Sequence, residues 1–272
     1  MVCAATLLTV SPAIAEVRPQ RVVSVNLCTD QLALLLAEPG QLISVSRLAH
    51  DPDASALYEI AQALPTNGSG AEEVFLLKPD LVLAGTFTSA ATVNMLRGLG
   101  IDVVLFAPAQ ALSDIPAHIA RMGEVLGQPD AAAKMVDAFE TDLAALSAPP
   151  AWRPRAALSY VNNYSSGNKT LAGDILHTAG FDNVAAEAGL EGTGTLSLEQ
   201  LVLLAPDVII QGRNYPGQAR AEDNLNHPAL RALSETKLAG EITDRDWICG
   251  TPQVVQAIAK MRELRLSIEA TK

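Results

Sequence analysis

Several side chains able to grip a ligand follow apolar, strand-like runs, where the loops of a parallel sheet gather at its carboxyl edge. Thr86 and Phe87 come directly after Leu81–Gly85, Arg213 and Tyr215 after Val208–Gly212, and Arg47 lies in the candidate loop segment Ser46–His50. Tyr164 follows the run opened by Arg155, and Asp246 with Trp247 follows the last apolar segment. Rings at such loops hold planar or bulky molecules, and arginine forks meet carboxylates and other anionic groups. Direct coordination of zinc or manganese is not expected. The four histidines, His50, His118, His177 and His227, show no HxH or HxxxH spacing, so a metal would arrive already chelated. Nucleotide and hydrolase motifs are missing as well: Gly192-Thr193-Gly194 is only a glycine-rich loop, and Ser165-Ser166-Gly167 reads as a turn. The expected chemistry is therefore binding, not catalysis, with no resident cofactor and no directly bound metal.

Composition narrows the partners. The 272 residues are 49% hydrophobic and 18% charged, ample for a core, and the formal net charge is −11, which argues against nucleic acid and anionic membranes. Aromatic residues make up only 4%, so the four at loop positions stand out. Residues 1–15, MVCAATLLTVSPAIA, carry no charge and pass from an apolar stretch to Ala13-Ile14-Ala15, the pattern of a secretory signal peptide.

The elements that must position these residues come in two sets. Leu76-Leu77-Lys78-Pro79-Asp80-Leu81-Val82-Leu83-Ala84-Gly85 matches Leu203-Leu204-Ala205-Pro206-Asp207-Val208-Ile209-Ile210-Gln211-Gly212 at five of ten positions, an offset of 127. At the same offset Glu72 meets Glu199 and Thr66 meets Thr193. A duplication into two similar lobes follows. In each copy a short helix ends at the proline, and a continuous apolar run reads as a strand buried on both faces. Arg21–Asn26 and Arg155–Tyr160 open the two lobes, and Ile101–Phe106 is a further strand preceded by a helix over 91–99. Between the lobes, Pro129–Leu146 is expected as one uninterrupted helix with Met135, Phe139, Leu143 and Leu146 on one face, a stiff strut about 27 Å long. The organisation is a leader over 1–15, an N-terminal lobe over 21–110, a connecting helical segment over 111–150, a C-terminal lobe over 151–250 and a C-terminal helix over 251–272. The fold class is α/β: two Rossmann-like lobes with mainly parallel sheets joined by one long connecting helix. Cys28 and Cys249 then fall in cleft-facing loops of different lobes. Either a disulfide ties the lobes, which needs Cα atoms within about 7 Å, or both are inert buried thiols.

The RVVSVN opening, the E-x-x-x-L-x-x-P-D segment in each lobe and the GLGIDVV strand entry resemble the periplasmic substrate-binding proteins of ABC importers. The resemblance is closest to the iron-siderophore and vitamin B12 branch, and it covers Arg21–Ile268. It implies a periplasmic monomer that carries a ferric siderophore, with cobalamin close behind, to an ABC permease dimer in the inner membrane. It also implies that Glu72 and Glu199 dock on permease arginines, with Glu73 the weaker neighbour. Three B12-type aromatic positions are occupied here by Thr66, Thr193 and Gly85. Haem is the alternative cargo, with Tyr164, Tyr215 or His50 as axial ligand, and a sensor or scaffold role outside transport is a further alternative.

Overall fold

Strand and helix alternate along each lobe, as the apolar runs require. The computed structural model describes residues 18–147, 149–212, 227–228, 238–242 and 244–270, and the expected leader lies outside them. In the first lobe the order is β1 (Val22–Ser24), α1 (Leu27–Leu36), β2 (Leu42–Ser46), α2 (Tyr58–Ala61), β3 (Thr66–Asn67), α3 (Ala71–Leu76), β4 (Leu81–Gly85), α4 (Ala90–Gly98) and β5 (Asp102–Phe106). The strands form one parallel sheet, β3-β2-β1-β4-β5. All of β4 is buried, because helices cover both faces of a parallel sheet.

Two helices then cross to the second lobe. In α5 (Ile115–Leu126) Pro116 occupies the first turn, and Gly127 ends the helix in a left-handed conformation with φ 71°. Next comes α6 (Pro129–Leu146), with the bounds its sequence implies; it buries Ala132 and Phe139 and half-buries Met135, Val136, Leu143 and Leu146. The second lobe runs β6 (Arg155–Ser159), β7 (Tyr164–Ser166), α7 (Leu171–Thr178), β8 (Asp182–Asn183), α8 (Val184–Glu187), β9 (Thr193–Thr195), α9 (Leu198–Leu204), β10 (Val208–Gly212) and β11 (Leu238–Ile242). Its sheet is parallel in the order β11-β10-β6-β8, while β7 and β9 pair antiparallel. A short helix, Asp244–Trp247, and the C-terminal helix, Val254–Glu269, complete the chain. One apolar core runs through both lobes, from Val22 and Leu83 by way of Ile115, Ile119 and Phe139 to Leu158, Ile210 and Ile258. The connecting helices are therefore packed struts.

The repeated Pro-Asp motif is one device used twice. Asp80 accepts backbone hydrogen bonds from Gln20 (2.7 Å) and Arg21 (3.0 Å), and Asp207 accepts one from Arg155 (2.8 Å). Each aspartate thus holds the entry of β1 or β6 beside β4 or β10. The arginine answers from the other side. Arg21 donates to the carbonyls of Leu77 (2.7 Å) and Lys78 (3.0 Å), and Arg155 donates to that of Ala205 (3.3 Å), which satisfies carbonyls left open where α3 and α9 end. The residue before each proline, Lys78 (φ 52°) or Ala205 (φ 43°), turns the chain through the left-handed region, since proline disfavours right-handed helix just before it.

Candidate functional site

In an open parallel sheet the crevice lies where adjacent strands send their connections to opposite sides. Between β1 and β4 that point brings together Asn26 and Gly85. Asn26 caps α1, its side-chain oxygen accepting from the backbone of Cys28 at 3.0 Å. A β-carbon at Gly85 would stand 2.9 Å from the Asn26 amide nitrogen, so a side chain there would have to displace the Asn26 amide.

Beneath the crevice lies a buried polar floor. The Asn67 amide donates to the Ser24 carbonyl, the Ser44 hydroxyl and the Val45 carbonyl, each at 2.9 Å, and Ser24 and Thr29 share a hydrogen bond of 2.8 Å. Asp30 is fully buried and accepts from the backbone and hydroxyl of Ser46. Burial raises its carboxyl from 3.8 to about 6, against the opposing pull of hydrogen bonds from Ser24 and Ser46 and the charge of His50. A floor with its polar atoms tied down holds the loops above it in one arrangement.

Two concavities flank Asn26. One is a cavity of about 70 Å³ lined by Thr86, Phe87, Phe106, His118 and Ile248 together with Asn26. The other is a groove of about 290 Å³ lined by Arg47, Leu48, Gly68 and Ser69. Phe87 is 88% exposed, a ring held out over the crevice without cover of its own. His118, which sequence spacing does not single out as a cleft residue, sits near the N-terminal end of α5, and burial lowers its imidazole from the ordinary value. Thr86 and Phe87 therefore line one of the two concavities beside Asn26, and Arg47 lines the other.

In the second lobe the corresponding crossing lies between β6 and β10. Asn162 (φ 56°) and Asn163 (φ 58°) turn the chain after β6 through the left-handed region, which asparagine tolerates, and an exposed Tyr164 follows them. Arg213 and Tyr215, expected on the loop after β10, lie outside the described residues.

Asp246 and Trp247 do not belong to the cleft. The segment after β11 coils into the helix Asp244–Trp247 instead of remaining a loop, and Trp247 is buried edge-on against Tyr160, with ring centroids 5.9 Å apart. Asp246 is also buried and accepts from Lys260 at 2.7 Å. A large ring gains more from the core than from a wet loop, and the carboxylate beside it needs a cation. His50 is likewise turned inward: its Nε2 lies 2.9 Å from the Ala61 carbonyl and 3.1 Å from that of Leu64, which removes it as an axial ligand. Among the described residues no group of three or more His, Cys, Asp or Glu could hold a metal ion.

The wall of the first cavity, which Cys28, Ile248 and Gly250 also line, is tied across the lobes. A disulfide joins Cys28, in the first turn of α1, to Cys249, with Cα atoms 5.1 Å apart. Next to it Arg245 donates from its backbone to Asp53 (3.1 Å) and from its guanidinium to the Pro52 carbonyl (3.3 Å), and it lies over the Tyr58 ring. Glu72 and Glu199 stand exposed in the first turns of α3 and α9. Glu73 is used locally, accepting the Gly68 N–H at 2.7 Å. Hydrogen bonds from its own backbone and from Ser197 hold the Glu199 carboxyl below the usual range. Both faces are therefore anionic.

Residues 22–233 match the periplasmic binding protein family. A protein named cobalamin-binding protein from Halobacterium salinarum is 30% identical over 200 residues, covering 71% of this chain and 54% of that protein. The match thus spans about half the length of that relative. A vitamin B12-binding protein from Pectobacterium carotovorum is 26% identical over 202 residues, covering 71% of each chain. Among solved structures, the periplasmic heme-binding protein RhuT from Roseiflexus superposes with a TM-score of 0.74 at 20% identity, over 90% of this chain and 98% of that one, a likeness of fold.

Proposed function

We propose that this chain, which belongs to the periplasmic binding protein family, captures one metal chelate between its two lobes and delivers it to an ABC permease dimer in the inner membrane. One observation carries the reading. The rings and neutral polar groups of the first lobe converge at a strand-order crossing, and the same wiring recurs in the second lobe with its own exposed carboxylate. The edge formed by Phe87, Phe106 and half-buried His118 suits the face of a macrocycle or a ligand-wrapped metal, and Arg47 suits an anionic group at its rim. No metal ligand from the protein is needed. The role is binding rather than catalysis.

Cobalamin is the cargo to test first. The named activities of the two sequence relatives favour it over the ferric siderophore that the residues alone favour. Gly85 leaves its own position without a ring, but Phe87, on the same cavity, supplies one. Ferric siderophores and haem are the other arms. Titration calorimetry with cyanocobalamin, haemin, a ferric hydroxamate and a ferric catecholate should show one tight ligand at one site per chain. Heat from none of the four would end the metal-chelate reading. Glu72→Arg combined with Glu199→Arg should abolish uptake and leave ligand affinity unchanged, since a two-point electrostatic clamp sets orientation and on-rate. Undiminished uptake would end the docking assignment.

A further inference from the structure

The two helices that carry Glu72 and Glu199 leave a leucine uncovered one turn later. Leu76 is 76% exposed and Leu203 is 84% exposed, and their neighbours Phe75 and Val202 are 45% and 46% exposed. A single exposed leucine needs no explanation. Here the exposure is duplicated in register: from 72 to 79 and from 199 to 206 the order is two exposed, one buried, two exposed, one half-buried, one exposed, then a buried proline. Val74 and Leu201 anchor the inner face of each helix. Glutamate and leucine four positions apart lie on one helix face, as do glutamate and Phe75 or Val202 three apart, so each lobe presents one acidic and apolar patch.

We propose that Leu76 and Leu203, with Phe75 and Val202, are apolar anchors that seat in a two-fold symmetric membrane permease, each beside the cation that receives Glu72 or Glu199. The inference rests on the transport reading above and supplies its contact chemistry: charge steers, and the leucines hold. Two features of the molecule select this occupant. A patch made twice by duplication fits a partner whose two subunits offer the same pocket, which a single-site partner would not require. The adjoining carboxylates, on a chain of net charge −11, exclude an anionic lipid surface and would repel in a self-paired dimer of these patches.

The test replaces Leu76 or Leu203 by p-benzoylphenylalanine in the full-length protein, exported in its own host, with the same probe at Glu73 and at Leu99, which is 47% exposed just past the end of α4. After irradiation, inner-membrane adducts are read by mass spectrometry. Positions 76 and 203 should both label the same peptide of one polytopic permease subunit, and position 99 should label none. With that permease purified in nanodiscs, Leu76→Ser or Leu203→Ser should weaken docking about 10-fold each and the pair about 100-fold, with ligand affinity and the salt dependence of docking unchanged. Adducts to lipid, to a second copy of the chain or to two different permease peptides would overturn the inference, as would leucine variants that dock like wild type. If Glu73 labels the permease and Glu72→Gln with Glu199→Gln weakens docking while the leucine variants do not, only the apolar anchors fall. If neither the probes nor the glutamate variants report a permease, the transport reading falls with them.

Discussion

Removing the Cys28–Cys249 bridge isolates what a single covalent tie between the lobes contributes. The two cysteines are 221 residues apart in sequence, so the bridge closes nearly the whole described chain into one loop. Loop-closure entropy of about −2.1 − 1.5R ln n cal/mol/K gives about 5 kcal/mol at 25 °C for such a loop, the upper end of what a disulfide contributes. Cys249 is buried beside Leu27 and Ala54, so Cys28→Ala with Cys249→Ala keeps the site apolar and leaves no unpaired hydroxyl. At about 2–4 °C per kcal/mol for a chain of this size, the double variant should melt about 10–20 °C below the oxidised protein. Because the effect acts on the unfolded ensemble, the urea m-value should rise as the released chain expands, while the native circular dichroism spectrum stays the same. Calorimetry with and without a phosphine reductant supplies the control: reductant should bring wild type to the variant's melting temperature and leave the variant unmoved. A double variant melting within about 3 °C of oxidised wild type would refute the bridge as a main tie between the lobes.

Three other perturbations test the site and its scaffold. The Asp30 carboxyl lies at about 6 in the fold against 3.8 ordinarily, so the folded chain binds the extra proton between those values and gains stability as pH falls from 7 toward 4. Asp30→Asn should therefore stabilise the protein by roughly 2–3 kcal/mol at pH 7.5 and by little at pH 4.5; a difference in melting temperature independent of pH would contradict this. Phe87→Ala removes a ring that is 88% exposed, so urea stability should move by less than about 0.5 kcal/mol while the affinity for the bound chelate falls about 10-fold, and unchanged affinity would take Phe87 out of the site. Asp80→Ala should lower the urea midpoint by the equivalent of about 1–2 kcal/mol and Asp207→Ala by somewhat less, since Asp80 holds two backbone N–H groups and Asp207 one; midpoints equal to wild type would dismiss the strand-entry clamp.

The most legible parts of the chain were those whose reason for existing is local. Leu81–Gly85 and Val208–Gly212 are unbroken apolar runs between a Pro-Asp and a glycine, and Pro129–Leu146 starts on a helix-initiating proline, so their bounds follow from the chain itself. The duplication was visible too, but not why aspartate follows each proline: its partners, the backbones of Arg21 and Arg155, are more than 50 positions away. Position after a strand misplaced Trp247 and Asp246, because a helix turn and the C-terminal helix claim that segment. His118 gave no spacing signal, since which side of α5 meets the cavity is decided by the helix's packing partners.

The apolar core that crosses both lobes bears on how the two proposed docking patches would act together. A hinge at the connecting helices would have to part residues such as Ile119 and Phe139 from neighbours in either lobe, and it would meet the disulfide and the contacts of Arg245 with Asp53, Pro52 and Tyr58. Apolar surface exposed in such a motion costs about 25 cal/mol per Å², so large opening is disfavoured by packing as well as by the covalent tie. Restricted motion also serves recognition of two points at once. Once one patch engages, the second binds at an effective concentration set by how firmly the lobes hold it in reach, and a freely swinging lobe would dilute that advantage. The same stiffness lowers the ordering cost of ligand capture, since the loops around Asn26 already rest on a floor of satisfied hydrogen bonds. Under the proposed function, ligand binding and docking would therefore draw on one physical property, a two-lobed frame whose spacing is set before either partner arrives.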